Sequence, residues 1–121
     1  DDAIDASGGI PAAQRTLQHL SGHGVAVSIV SLGELFEGAY GFPGPPRLLA
    51  GYRQFLATYP VLPLTDPIMD VFAATRAHLR RTGMLIPDFD LAIAATALHH
   101  DLTLLTRNLR HFARISALKL P

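Results

Sequence analysis

The sequence VAVSIVSLGELFEGA, residues 25–39, decides the fold class of this chain. Its first six residues form a nearly continuous apolar and β-branched run without alternation, which is typical of a strand buried on both faces. Apolar residues then recur at helical spacing, at Leu32, Leu35, Phe36 and Ala39. A strand that leads directly into a helix indicates an α/β unit.

The same alternation of strands and helices extends in both directions along the chain. Turn residues, prolines at helix starts and apolar periodicity mark the elements. The predicted strands cover residues 25–30, 61–64, 102–105 and, as a short last strand, 118–120. The predicted helices cover residues 12–20 after Pro11, the segment after the first strand, and residues 47–58. Two more helices follow: one is capped by Asp66 and ends at residue 81 before Gly83, and the other runs from Pro87 and Asp88 to residue 100. This order predicts one α/β domain over residues 1–121, a three-layer α/β/α fold with a mostly parallel central sheet.

Composition sets limits on the class of protein. The chain has 121 residues, 49% of them hydrophobic and 17% charged, which is enough to bury a core. It contains no cysteine, which excludes disulfides and thiolate metal sites and suits the cytoplasm, where we expect the protein. No apolar run reaches the ~20 residues that cross a bilayer, so we expect no membrane segment. The net charge is zero, but nine of the ten basic residues are arginines, whose planar fork suits phosphate.

Polar residues follow the predicted strands where a parallel sheet binds its ligands. They are Ser31 and Glu34 after the first strand, Asp88 and Asp90 at the start of the alanine-rich helix, and Thr106, Arg107 and Asn108 after the third strand. Carboxylates gathered at one edge repel each other unless a cation neutralises them. Oxygen ligands suit Mg²⁺ or Mn²⁺, and such an ion supports hydrolysis of a phosphodiester.

Each of these residues also has a structural interpretation. Ser31 and Glu34 have the spacing of a capping box, in which two side chains satisfy the amides at a helix start. Asp88 could be an N-cap, and Asp90 could simply favour the positive end of a helix. Asn108 could end a strand.

Other chemistry finds little support in the sequence. There is no G-x-S-x-G motif and no glycine-rich phosphate loop. His99 and His100 are expected to interact with the dipole at a helix end. His111 and Phe112 are expected to serve packing and the surface near the C-terminus.

Three blocks of the sequence, taken together and in this order, resemble the PIN-domain toxins of the VapC type. The blocks are residues 27–39, residues 86–97 (IPDFDLAIAATA) and residues 102–112 (LTLLTRNLRHF), the last followed by Ile115 and Leu118. The resemblance covers about residues 12–121. It implies a Mg²⁺-dependent endoribonuclease, the toxin of a toxin–antitoxin pair, which forms a homodimer and is inhibited by a small antitoxin protein.

The resemblance also implies roles for individual residues. Glu34 matches the second acid of the family, and Asp90 matches the third acid, a metal ligand. Asp88 is a nearby accessory carboxylate. Asn108 falls where some members place a fourth acid, and Thr106 matches the adjoining polar position.

The beginning of the family pattern does not fit the beginning of this sequence. Family members begin with a strand that ends in an aspartate, the principal metal ligand, followed by a helix. The sequence around Asp5 resembles that strand end, but Asp5 lies only a few residues before the helix predicted over 12–20. We therefore expect the first strand and helix of the family to be missing, with Asp5 as the alternative metal ligand.

Three hypotheses follow. The leading one is an endoribonuclease in which Arg107 and Arg110 grip the RNA backbone. The second is a catalytically impaired PIN-like interaction module that binds an antitoxin or dimerises without cleaving RNA. The third, a receiver-like signalling domain, needs a lysine opposite a phosphoacceptor aspartate, and the only lysine is Lys119.

Overall fold

The computed structural model describes residues 25–106 and 108–121. These residues divide into two compact units, one ending at Leu62 and the other beginning at Pro63. The helix predicted over 12–20, and the residues Asp5 and Arg107, lie outside the described residues.

The first unit places two helices between two paired strands along the chain. In order, the elements are β1 (Val27–Ser28), α1 (Ile29–Tyr40), α2 (Pro45–Leu56) and β2 (Val61–Leu62). The strands are parallel, and Val27 lies opposite Val61. The buried core of this unit consists of Val27, Leu35, Ala39, Tyr52 and Leu56.

Helix α1 begins earlier than the sequence pattern predicts. Ser28 is its N-cap, and the Ser28 Oγ accepts a hydrogen bond from the Val30 backbone N–H at 3.1 Å. The strand predicted over 25–30 is therefore only two residues long. Ser31 lies inside the helix and is buried, so the predicted capping box of Ser31 and Glu34 is wrong. A good N-cap residue one turn earlier takes that role.

The second unit contains α3 (Asp66–Arg81), α4 (Asp88–His99) and α5 (Leu109–Phe112). The N-cap of α3 is Thr65, whose hydroxyl accepts from the Ile68 N–H at 3.5 Å. Asp66 is the first helical residue, so its predicted role as the N-cap is wrong. Gly83 follows the end of α3 with φ 70°, a left-handed conformation that glycine adopts without strain.

Helix α4 is the most buried element among the described residues. Every residue from Asp90 to Ala97 is buried, as expected for a helix that is apolar on all sides. Its four alanines leave room for close packing, and α4 packs against both α3 and α5. Thr96 satisfies its buried hydroxyl by donating to the Ala92 carbonyl oxygen at 2.9 Å.

The two strands predicted near the C-terminus are reduced to a single parallel bridge. Thr103 pairs with Lys119, and the Leu104 N–H donates to the Lys119 carbonyl oxygen at 2.9 Å. The sequence thus identified the two paired segments, residues 102–105 and 118–120, but not the length of their pairing. Within residues 25–106 and 108–121, none of the helices is long and apolar enough to span a membrane.

Candidate active site

The first turn of α4 holds a buried carboxylate. Pro87 is the N-cap of this helix, and the Leu91 N–H donates to the Pro87 carbonyl oxygen at 3.0 Å. Asp90 therefore lies in the first turn, where the partial positive charge of the helix N-terminus stabilises an anion. Asp90 is only 5% exposed. A carboxylate buried to this degree needs partners of opposite charge or hydrogen-bond donors.

Two side chains from the C-terminal segment contact this carboxylate. The Asn108 Nδ2 donates to the Asp90 Oδ2 at 3.4 Å, and the His111 Nδ1 lies 2.9 Å from the same oxygen. The Asn108 Nδ2 also lies 2.8 Å from the His111 Nδ1. We refer to Asp90, Asn108 and His111 as the Asp90 cluster.

A short turn and the short helix α5 position the second half of the cluster. The Asn108 N–H donates to the Thr106 Oγ1 at 2.9 Å, a local bond that stabilises the turn before the helix. Asn108 is the N-cap residue of α5, and His111 follows within that helix. The next residue, Phe112, is fully buried and anchors α5 in the core. Thr106, predicted to bind substrate, thus has a structural contact of its own.

The contact between His111 and Asp90 corrects the sequence interpretation. His111 was expected to serve packing and the surface, but its ring is only partly exposed and faces the carboxylate. The available signal was the spacing N-x-x-H, because residues three apart on a helix lie on the same face. That spacing alone does not show that the face is directed at Asp90.

Two other predicted residues, Asp88 and Arg110, are exposed. Asp88 is exposed, and its Oδ1 accepts from the Arg76 Nε at 3.0 Å in a surface salt bridge with α3. Asp88 and Asp90 are two residues apart, so their side chains differ in direction by roughly 200° around the helix axis. The structure therefore does not bring Asp88 into the Asp90 cluster, and its alternative role as an N-cap is wrong because Pro87 has that position. Arg110 is exposed on α5.

The remaining two predicted acids, Glu34 and Asp5, lie in the N-terminal half of the chain. Glu34 lies on α1 in the other unit and is partly buried. Ser31 lies one turn before it on the same helix face, and the buried Ser31 Oγ has no hydrogen-bond partner within residues 25–106 and 108–121. The role of Glu34 as the second acid stays a prediction. Asp5 lies outside the described residues, so its role as a metal ligand also stays a prediction.

The donor atoms of the Asp90 cluster are of types that bind divalent metals. They comprise a carboxylate, an amide whose oxygen can coordinate a cation, and an imidazole nitrogen. No three His, Cys, Asp or Glu side chains gather into a metal-binding group in the part of the chain that the structure describes. The third polar group of the cluster is the Asn108 amide, which presents its nitrogen to Asp90 and His111, so the Asp90 carboxylate is the anionic group of the cluster that would hold a cation.

Comparison with known proteins identifies relatives over most of the chain. The chain matches the PIN domain family over residues 4–118. It is 34% identical to Ribonuclease VapC2 of Haemophilus influenzae over 95 residues, which span 78% of this chain and 72% of that protein. It is 32% identical to the tRNA(fMet)-specific endonuclease VapC of Shigella flexneri over 109 residues, 90% of this chain and 83% of that protein.

Solved structures confirm the α/β fold class. VapBC2 from Rickettsia felis, bound to a DNA fragment from its promoter, superposes with a TM-score of 0.81 at 25% identity, covering 93% of this chain and 85% of that chain. DNA-bound VapBC from Salmonella typhimurium superposes with a TM-score of 0.74 at 31% identity, covering 79% of this chain and 73% of that chain. The predicted resemblance to VapC-type PIN domains is confirmed.

Proposed function

The chain belongs to the PIN-domain family, and we propose that it is a metal-dependent endoribonuclease, the toxin component of a type II toxin–antitoxin system. The observation that carries the proposal is a buried Asp90 carboxylate with polar partners in a chain whose relatives are named ribonucleases. Burying a carboxylate costs desolvation free energy, so a buried carboxylate with specific polar partners is a candidate for a chemical role.

The proposed metal ligands are Asp90 and Glu34, completed by an acid near the N-terminus, for which Asp5 is the candidate. Asn108 is proposed as a further catalytic residue beside Asp90, to whose Oδ2 its amide nitrogen donates at 3.4 Å. Mg²⁺ or Mn²⁺ bound by these carboxylates would lower the cost of forming hydroxide from water and neutralise charge on the phosphodiester. The protein's own task is to hold the Asp90 carboxylate in one orientation, which the contacts with Asn108 and His111 achieve.

The proposed substrate contacts involve basic side chains of the C-terminal segment. Arg110 is exposed on α5, one residue before His111, so its guanidinium is accessible to a phosphate. Arg107 precedes Asn108 in the sequence. Arginine forms two parallel hydrogen bonds with a phosphate group, and we assign both residues to the RNA backbone, with Thr106 beside them.

The proposed partners are a cognate antitoxin protein and a second copy of the chain, in the cytoplasm. Support for the antitoxin comes from the structural neighbours, which are VapBC complexes. An antitoxin would control the nuclease by covering or distorting the site that holds Asp90.

The test is cleavage of a labelled RNA by the purified chain, with Mg²⁺ or Mn²⁺ and with EDTA. We expect cleavage that needs the metal and that falls at least about 100-fold in Asp90→Ala and in Glu34→Ala. Asp70→Ala is the matched control, because Asp70 is an exposed aspartate on α3. Cleavage that survives EDTA or both substitutions would refute the metal mechanism. Binding of an antitoxin without any cleavage would instead favour the impaired interaction module.

A further inference from the structure

We propose that Ser31 is a positioning residue of the nuclease: its hydroxyl donates a hydrogen bond to the Glu34 carboxylate when that carboxylate is in its catalytic orientation. The inference deepens the proposed function and rests on it for the role of Glu34. It concerns only helix α1 and the strand before it.

The first observation is a buried hydroxyl without a partner. Ser31 is 5% exposed, and among the described residues its Oγ is the one buried side-chain polar atom that has no hydrogen-bond partner. Burial removes the hydrogen bonds of a hydroxyl to water, so an unpartnered hydroxyl in the core lowers stability. Such a group requires an explanation, and one explanation is an acceptor that it meets during function.

The position of Ser31 in its helix explains why the usual acceptor is missing. Thr96, in the middle of α4, donates from its Oγ1 to the Ala92 carbonyl oxygen, four residues earlier, at 2.9 Å. The residue four before Ser31 is Val27, which lies in strand β1. Strand carbonyls are directed at neighbouring strands and not along a helix axis. Because α1 begins only at Ile29, no helical carbonyl is available four residues before Ser31.

Glu34 is the acidic side chain that can supply an acceptor. Residues three apart lie on the same face of a helix, and helical side chains lean toward the N-terminus, so Glu34 leans toward the turn that carries Ser31. A glutamate spans the same three residues when it completes a capping box. Glu34 is half-buried, so water competes less for its carboxylate than at the surface. The S-x-x-E spacing, which does not cap α1, therefore pairs a donor with the proposed second acid.

The hydrogen bond would hold the Glu34 carboxylate in one orientation. The hydroxyl engages one lone pair of a carboxylate oxygen and leaves the others for catalysis. Partners that orient an active-site carboxylate in this way typically contribute about 10–100-fold to metal affinity or activity. The unpartnered hydroxyl is then a loss of stability that the protein retains for function.

Thermal unfolding in EDTA is the first test. Ser31→Ala should leave the melting temperature unchanged or raise it by up to about 5 °C, because it removes an unsatisfied group. Thr96→Val is the matched control at a satisfied buried hydroxyl and should lower the melting temperature by at least about 2 °C. A hydroxyl with a purely structural role at Ser31 would instead make Ser31→Ala less stable.

The kinetics of RNA cleavage in Mg²⁺ are the second test. Ser31→Ala should lower kcat at least about tenfold with KM little changed, because no contact with the RNA is removed. Ser31→Thr keeps a hydroxyl and should restore most of kcat. Circular dichroism checks that each variant is folded.

A spectroscopic test observes the carboxylate directly. The chain has only two glutamates, Glu34 and Glu37, so ¹³C-labelled glutamate gives two side-chain carboxyl signals, which Glu37→Gln assigns. Addition of Mg²⁺ should shift the Glu34 signal of the wild-type protein, and the signal of the Mg²⁺-loaded protein should differ in Ser31→Ala. The exposed Glu37 is the internal reference and should give the same signal in both proteins.

The outcomes separate this inference from the proposed function. A folded Ser31→Ala variant that is less stable in EDTA, that cleaves RNA with the wild-type kcat, or whose Mg²⁺-loaded Glu34 signal matches that of the wild-type protein would overturn the role of Ser31. Each of these results leaves the proposed nuclease intact. If the wild-type chain does not cleave RNA and Mg²⁺ does not shift its Glu34 signal, the proposed function itself is refuted, and this inference fails with it.

Discussion

Replacing Asp90 with asparagine tests whether this buried charge is kept for metal binding or for stability. Without metal we expect the free energy of unfolding to change by less than about 1 kcal/mol, because several small effects oppose each other. The substitution relieves the desolvation of a group that is 5% exposed. It also loses the interaction with the helix N-terminus, worth roughly 0.3–1 kcal/mol, and changes the contact of this side chain with the His111 Nδ1.

With a divalent ion, the stabilities of the wild-type protein and Asp90→Asn should differ. A ligand at 100 times its dissociation constant stabilises the folded state that binds it by about 2.7 kcal/mol. For a domain of this size that gain raises the melting temperature by roughly 10 °C. The wild-type protein gains this stability, and Asp90→Asn, which lacks the anionic ligand, gains little of it.

The assay is thermal unfolding followed by circular dichroism, in a chelator and in excess MnCl₂. Asp70→Asn, on the exposed surface of α3, is the control and should respond to Mn²⁺ like the wild-type protein. Equal stabilisation of Asp90→Asn and the wild-type protein by Mn²⁺ would refute the reasoning. So would a loss of several kcal/mol in chelator, because the carboxylate would then be a structural group.

Further predictions concern the stability of the second unit and can be measured by urea unfolding. Phe112→Ala should lower the free energy of unfolding by about 3–5 kcal/mol, since the ring is fully buried; a loss below 1 kcal/mol would contradict its anchoring role. Gly83→Ala should cost about 1–2 kcal/mol through backbone strain alone, because φ is 70° and, among the described residues beyond its chain neighbours, no atom lies within 4 Å of the added Cβ; a neutral result would mean that the turn relaxes. Asp88→Ala should cost less than about 1 kcal/mol, as expected for a surface salt bridge, and a larger loss would show that its pair with Arg76 is part of the packing.

Helix boundaries could be read from the sequence where they depend on local chemistry. Gly83 was predicted to end helix α3, and its left-handed backbone explains why the helix ends there. The helix after Pro87 begins where predicted, since proline restricts the residue before it and fits a helix start. The N-caps were less predictable. Thr65 rather than Asp66 is the N-cap of α3, and Ser28 rather than Ser31 is the N-cap of α1. Polar residues close together in the sequence compete for the N-cap position.

Strand lengths could not be read in this way. The apolar run at residues 25–30 predicted a strand of six residues, but pairing with β2 covers only Val27–Ser28. The segment at residues 102–105 forms one bridge. Hydrogen bonds between strands depend on a partner that is distant in sequence, so composition identifies the segment and the partner determines the extent of the pairing.

The sequence by itself determined the family and the identities of Asp90 and Asn108 as candidate site residues, because these lie in recognisable blocks with a fixed order. Only the tertiary structure added His111 to them and separated Asp88 from them. The reason is geometric: the side of α4 that carries Asp90 faces α5, and the direction of a side chain across two packed helices is set by their packing, not by spacing within either segment.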